Sequence, residues 1–521
     1  MDQDPSESPV APRRRDSSYY FTLIFLVGPV WGIVPLSWCY VFYFLRSGRL
    51  WASVWRDQLI FIAATCEAIF SVYQYILARR IAGLAAVPPN DPVELQTAFK
   101  RVLQAGLAAL PDDGGDEESL LAERPGSPAE IVVKLQYNDP RAIDFRTRLR
   151  TWFGKVPWSS LRTEQVYEWL YWSIFNTHLH SLDTIPHAQR TVLDEVLNML
   201  EKRAGAKIQK GSNPKVKPMR LTIDPANISM RPLTWYIFVR ASNVALRIWY
   251  QNRHDLTFGC FNGLEYLIRT PQGYSSGVGP SPVVFIHGLG LGLFQYQRFL
   301  HDLLKGHPDA PLLILLQPQI SQDIIHPRYL KPMRRFETVK CLHGLLESLG
   351  WIGDTLKDNK GVTILSHSNG SYAHAWFLKS YPALVIRSCF VDPVIFCSWE
   401  GDVCYNFFYR TCTTGVELLM RYYVGTELGV TNVLQRHFEW ASNALWFEEI
   451  PHARDPVRCR FFLAGKDAIV DSERARKYLT SHGVKKGIWL DPEGRHGQAL
   501  VGGGTGLNEI MRWLRQDPEK Y

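Results

Sequence analysis

The sequence has no CxxC pair and no clustering of histidine at zinc-ligand spacing, so nothing in it points to a bound metal. Its nine cysteines, at 39, 66, 260, 341, 389, 397, 404, 412 and 459, form an odd set. Several lie in apolar or strand-like stretches, where a free thiol behaves as a small hydrophobe, and a reduced, cytosol-facing domain is the expectation. Net charge is only +8 over 521 residues, and no basic stripe interleaved with aromatics tracks a phosphate backbone. Nucleic acid is therefore excluded as a partner, and no residue pattern indicates a cofactor.

Charge is also missing locally. From Tyr19 to Leu45 there is no charged residue, and the run exceeds the about 20 apolar residues that cross a ~30 Å hydrocarbon core. Gly28, Pro29, Gly32 and Pro35 would weaken a soluble helix but are tolerated in lipid. The run is too long for a signal peptide and no A-x-A cleavage site follows it, so it reads as a transmembrane helix. Leu59 to Ala78 is a second apolar stretch carrying Glu67 and Gln74, readable as a second span, an interfacial helix or a buried one. Residues 19–80 together form the expected membrane anchor. Arg13 to Arg15, Arg46, Arg49, Arg56, Arg79 and Arg80 flank every candidate end, so the positive-inside rule does not choose a topology. A two-span hairpin would keep tail and catalytic domain together in the cytosol.

At 521 residues the chain is longer than one ordinary domain. Residues 1–18, rich in Pro, Ser and charge, read as a disordered basic tail. Residues 90–255 read as a helical accessory region, with Asp112 to Glu118 and Lys202 to Lys217 as surface linkers. Leu193, Val196, Leu197 and Leu200 recur at helical spacing as a core-facing stripe. Within Arg231 to Tyr250, Trp235, Phe238, Trp249 and their apolar neighbours sit among Arg231, Arg240 and Arg247. That composition suits a bilayer surface, although packing against the catalytic domain is the favoured expectation.

From residue 256 onward the texture changes to short apolar runs bounded by Gly, Pro or Asp and separated by helix-length polar stretches, the pattern of a parallel sheet flanked by helices. Strands are expected at Pro282 to Ile286, Leu312 to Leu316, Val362 to Leu365, Ile386 to Val391, Arg460 to Leu463 and Gly487 to Leu490. Ligands of such sheets bind beyond the C-terminal strand ends. There the chemistry-bearing residues fall. Val362-Thr-Ile-Leu-Ser-His-Ser368-Asn-Gly370 is an apolar strand running into a serine between the small residues Ser366 and Gly370, the pattern of a nucleophile elbow. Val283-Val-Phe-Ile-His-Gly-Leu-Gly290 puts an HGxG turn after another strand, where the Leu289 N–H, with that of Asn369, can face a developing oxyanion. A serine hydroxyl needs an imidazole to take its proton and a carboxylate to orient that imidazole. Asp467, in a G-x-D turn after a strand, and His496, in a glycine-flanked loop after the next, supply them.

These motifs, in the order Ser, Asp, His, make residues 280 to 510 resemble the α/β-hydrolase family. The resemblance implies an α/β-hydrolase fold, with a mostly parallel sheet, flanking helices and a helical lid, preceded here by the transmembrane and helical region. It implies Ser368 as nucleophile, His496 as base, Asp467 as acid, and Leu289 and Asn369 as oxyanion donors. Ser366 departs from the family's usual glycine. Asp392, ending the preceding strand, and Asp471 are the alternative acids; His287, His367 and His374 are read as structural. Residues 394–456 match the family's lid position, and Trp399, Phe407, Phe408, Tyr409, Tyr422, Tyr423, Trp440 and Trp446 are candidates to line an apolar acyl pocket. The expected activity is serine hydrolysis of a lipophilic ester at a lipid bilayer. An acyltransferase or a catalytically silent scaffold on the same fold are the competing readings.

Overall fold

The computed structural model describes residues 4–48, 54–83, 92–104, 133–275, 279–353 and 361–516. The acidic segment Asp112 to Glu118 lies outside them. Two described helices are long and apolar enough to cross a membrane, α1 (Ser17–Arg46) and α2 (Trp55–Ala82). They pack side by side, with Phe44 stacked on Phe61 at 4.7 Å and the Trp38 indole bound to Ser71 Oγ at 3.0 Å.

A helical unit follows, from α3 (Pro92–Gln104) through α4 (Pro140–Leu149), α5 (Thr163–Phe175) and α6 (His187–Ala204) to the 22-residue α7 (Leu233–His254). Leu193, Val196, Leu197 and Leu200 do face its core, meeting Trp152, Phe153, Trp169 and Trp172. The segment read as a linker at Lys202 to Lys217 is partly internal, because Ile208 and Val216 are buried in that same core.

The sheet begins earlier than the strand pattern predicted. β1 (Thr257–Phe261) and β2 (Leu264–Arg269) form an antiparallel hairpin that pairs with the edge of the parallel part. Then come β3 (Val283–Ile286), α8 (Leu293–Gly306), β4 (Leu312–Leu316), α9 (Arg335–Ser348), β5 (Val362–His367), α10 (Gly370–Ser380) and β6 (Val385–Val391). After the lid segment and its helix α11 (Leu428–Arg436) the chain closes with β7 (Cys459–Ala464), α12 (Ser472–Ser481), β8 (Ile488–Asp491) and α13 (Thr505–Leu514). The eight strands run β1-β2-β4-β3-β5-β6-β7-β8, antiparallel only at β1/β2 and β2/β4. This is the α/β-hydrolase fold. Alternate strand residues point to opposite faces: Val284 and Ile286 pack under α9, α10 and α12, whereas Val283 and Phe285 pack against α8 and α13.

Residues 4–16 are not the disordered tail that their composition suggests. Arg146, fully buried, binds Asp4 Oδ2 at 2.6 Å, Ser6 Oγ at 3.1 Å and the Ala204 carbonyl at 2.7 Å. Further along, Arg13 pairs with Glu417 at 2.6 Å and the Asp16 N–H donates to the Thr413 carbonyl at 3.0 Å. A polar peptide becomes ordered when each of its groups finds a fixed partner, and here those partners belong to the helical unit and the lid.

Candidate active site

β5 has no exposed residue from Val362 to His367, and the chain then turns sharply into α10. At the turn Ser368 has φ +51°, a region that non-glycine residues rarely occupy and that marks stored strain at functional positions. Its N–H donates to the Val391 carbonyl at 3.0 Å, which ties the elbow to β6. Two glycines permit the approach to β3. A Cβ at Gly370 would lie 2.3 Å from the Ile286 carbonyl oxygen, and one at Gly288 would lie 2.9 Å from the Ser368 Cβ.

His496 reaches the serine from the loop after β8. Its Nε2 is 2.8 Å from Ser368 Oγ and its Nδ1 is 2.6 Å from Asp467 Oδ2. Asp467 is held in turn, its Oδ1 accepting the N–H groups of Ile469 at 2.7 Å and Val470 at 3.1 Å. Burial alone would depress the imidazole pKa, but the Asp467 carboxylate outweighs it, with Asp392 adding, and raises it from 6.5 to about 9. The imidazolium is thus the form the site stabilises.

The two alternative acids are placed differently. Asp392, at φ +42° and buried, lies beside the same imidazole but accepts the Gly497 N–H at 2.6 Å and the Ala464 N–H at 2.9 Å. Burial, reinforced by the neighbouring Asp467 carboxylate against the pull of His496, raises its pKa. It therefore fastens the His496 loop to β7. Asp471 is remote in role: it caps α12 through the Arg474 N–H and pairs with Arg148 at 3.0 Å. Donor atoms of Asp392, Asp467 and His496 lie within 4.8 Å of one another, a spacing that would also admit a cation. Each of them already has a hydrogen-bond partner.

Leu289 and Asn369 line the same cavity as Ser368, and their N–H groups have no hydrogen-bond partner among the described residues, while those flanking Leu289 do. Gly288 N–H donates to the Tyr296 hydroxyl at 2.9 Å and Gly290 N–H to the Ile320 carbonyl at 3.0 Å. Two open donors beside a serine hydroxyl are what an oxyanion hole would require. Tyr296 had no signal in the sequence; its hydroxyl is also hydrogen-bonded to His367 Nδ1 at 2.7 Å and so fixes both the HGxG turn and the elbow.

The remaining histidines are engaged elsewhere. His287 Nε2 accepts the Gln317 N–H at 3.3 Å, and burial lowers its pKa to about 4. His367 is pushed well below 6.5 by burial and by the facing His496 and His287. His374, likewise lowered by burial, to about 3, bridges Ser366 Oγ at 2.9 Å and Ser388 Oγ at 3.2 Å. Ser366, where a glycine was expected, is small enough for the elbow and adds a buried hydrogen bond.

Ser368 opens into a cavity whose walls are overwhelmingly apolar. Three of the eight proposed lid aromatics line it, Phe407, Phe408 and Trp440. The others are used differently. Trp399 and Trp446 stack on each other at 4.3 Å within the core, Tyr409 donates to Asp224 at 2.7 Å, Tyr422 lies under Arg231, and Tyr423 donates to the Leu26 carbonyl of α1 at 2.7 Å. Trp152, Trp172 and Leu221 complete the wall from the helical unit, a contribution without any sequence signal. A second hollow of about 820 Å³, bounded by Gln317, Arg328, Trp376 and His437, shares the walls Asn369, Tyr372, Leu434 and Phe438 with the first.

No family model matches the chain, and no curated protein does. Solved structures similar to it include naproxen esterase (carboxylesterase NP) from Bacillus subtilis, 11% identical with a TM-score of 0.34, the alignment covering 53% of this chain and 96% of that one. A membrane phospholipase A described as a bacterial virulence factor is 13% identical with a TM-score of 0.32, over 54% and 93% of the two chains. Carboxylesterase CesB from Bacillus subtilis is 12% identical with a TM-score of 0.33, over 53% and 99%. The chemistry of this chain has to be argued from its own side chains.

Proposed function

We propose that the protein is a membrane-anchored serine hydrolase that cleaves a lipophilic carboxylic ester. The observation that carries this reading is the unbroken hydrogen-bonded line Ser368–His496–Asp467 at the floor of an apolar cavity. Ser368 Oγ attacks the ester carbonyl while His496 Nε2 takes its proton. The carbonyl oxygen, now negative, is bound by the Leu289 and Asn369 N–H groups. His496 returns the proton to the departing alcohol, leaving an acyl-enzyme, and then deprotonates the water that releases the acid and restores Ser368. Loss of one oxyanion donor costs about 10²- to 10³-fold in rate in such sites.

The aromatic and aliphatic cavity walls favour a long acyl chain over a short polar one, since each buried CH₂ contributes about 0.8 kcal/mol. Anchoring is supported by α1 and α2, which pass the length and hydropathy requirement of a span. Both outer ends of the pair meet the same body: Asp16, before α1, binds Thr413, and Arg436 binds the Ile81 carbonyl near the end of α2 at 3.1 Å. These contacts support a hairpin returning to one side of the bilayer, and the free cysteines favour the cytosol as the side that holds tail and catalytic domain.

The test is fluorophosphonate labelling of detergent-solubilised full chain beside Ser368→Ala and His496→Ala, followed by turnover of p-nitrophenyl esters of increasing chain length. Labelling lost in both variants and turnover rising with chain length is the expected result. A folded wild type that stays unlabelled would leave the scaffold reading. Protection of the C-terminus from protease inside intact microsomes would reject the cytosolic orientation.

A further inference from the structure

Helix α7 presents an outer face that no soluble helix needs. Ile237, Phe238, Ala241, Ala245, Ile248 and Trp249 are all exposed and recur at helical spacing, so an uncharged stripe runs for most of a helix about 33 Å long. The arginines beside the stripe are drawn off it: Arg240 pairs with Asp323 and Arg247 lies over the Phe258 ring. On the opposite face Tyr236, Val239 and Tyr250 are buried in the protein, which accounts for half of the helix only.

What covers the stripe is indicated by where it starts. The first N–H groups of α7, of Leu233 and Thr234, are capped by the Glu67 carboxylate of α2, and Gln74 of α2 donates to the Tyr236 hydroxyl at 2.9 Å. Trp235, in the same turn, packs on Tyr423 at 4.5 Å, whose hydroxyl reaches Leu26 of α1. At 30 residues α1 is about 45 Å long, some 10 residues more than the hydrocarbon core requires, and that excess matches the Ser17–Leu26 stretch held by the lid. Leu26, Tyr423 and Trp235 thus mark the level at which α1 leaves the hydrocarbon, and tryptophan and tyrosine favour that depth. The apolar stripe of α7 continues from this level.

We infer that α7 is a membrane-interface helix, lying along the same leaflet from which α1 and α2 emerge, with its Ile237-to-Trp249 stripe in the headgroup–acyl boundary. This rests on the anchoring reading above. Away from the stripe α7 holds the oxyanion turn, where Asn243 donates to the Leu291 carbonyl at 2.9 Å and accepts the Phe294 N–H at 3.2 Å, and at the stripe's edge the half-exposed Phe238 meets the Phe294 ring at 5.6 Å. One rigid helix therefore links the bilayer surface to the turn bearing Leu289.

The experiment uses the full chain in phosphatidylcholine nanodiscs, with exposed Cys39, Cys66 and Cys260 replaced by serine and a nitroxide placed by Ala245→Cys or Ile248→Cys. Leu36→Cys, exposed on α1, is the in-span reference, and Arg512→Cys, exposed on α13, the aqueous one. Collision with oxygen against a water-soluble nickel chelate is read at each site. The inference expects positions 245 and 248 to shift from the aqueous reference toward the in-span one. If they match Arg512→Cys while Leu36→Cys reads as lipid, the interfacial helix is rejected and the anchor stands. If Leu36→Cys itself reads as aqueous, the anchor reading fails and the inference falls with it.

Discussion

Asp467 and Asp392 approach one imidazole from the ends of adjacent strands, yet only Asp467 touches it: His496 Nδ1 lies 2.6 Å from Asp467, while Asp392 binds the N–H groups of Gly497 and Ala464. The roles separate by substitution. Asp467→Asn removes the charge that orients and stabilises the imidazolium, and the fluorophosphonate labelling rate is expected to fall by about 10⁴-fold with the fold intact. Asp392→Asn keeps an acceptor for one backbone N–H. Its expected effect is a lower melting temperature and a far smaller loss of rate.

The raised pKa of His496 has a definite sign for both activity and stability. A protonated imidazole cannot take the serine proton, so labelling of the free enzyme rises with pH through a limb displaced from 6.5 toward about 9. In Asp467→Asn the residual limb moves back to lower pH. Because the folded-state pKa exceeds the unfolded one, the interaction stabilises the fold fully below about 6.5 and fades as pH climbs through about 9. Melting curves of wild type and His496→Gln between these limits measure the difference, which is expected to narrow with rising pH.

Placing a smaller residue at position 366 is expected to harm this protein. Ser366→Gly or Ser366→Ala strips a partner from His374 Nδ1 in a fully buried position. An unsatisfied buried group costs about 1–3 kcal/mol, so chemical denaturation midpoints fall. Labelling of Ser368 is retained, since His374 does not touch it.

The N-terminal segment contributes to stability. Asp4→Ala leaves the buried Arg146 guanidinium without its carboxylate and is expected to lower stability by about 1–3 kcal/mol, read by denaturant unfolding. Serine at position 4 is expected to recover only part of it.

The parts of the site legible in the sequence were those written locally. A strand followed by Ser-x-Gly, by His-Gly-x-Gly or by Gly-Lys-Asp467 advertises its turn within a few residues, because the backbone there dictates which side chains fit. What could not be read depends on contacts across hundreds of positions. Trp152 and Trp172 look like ordinary core tryptophans until the helical unit is laid over the lid. Tyr296 is one aromatic on an amphipathic helix until it is seen between Gly288 and His367. Residues 4–16 have the composition of disorder, and their order comes from Arg146, Thr413 and Glu417. The β1–β2 hairpin was missed for another reason. As an edge ribbon it carries few fully buried residues, so the apolar runs that mark the inner strands are absent.

The strap formed by those first residues has a consequence for biogenesis. Arg13 finds its partners at Thr411 and Glu417, 398 and 404 positions later. At a synthesis rate of about 5–20 residues per second, about 20–80 s separate the two ends of that contact. In that interval α1 and α2 are made, and on the anchoring proposed above the membrane would receive them before the lid that grips them exists. Arg13 is therefore fastened late, and a nascent chain halted before the lid would already hold Asp4 and Ser6 against Arg146 while Arg13 still lacked its partners.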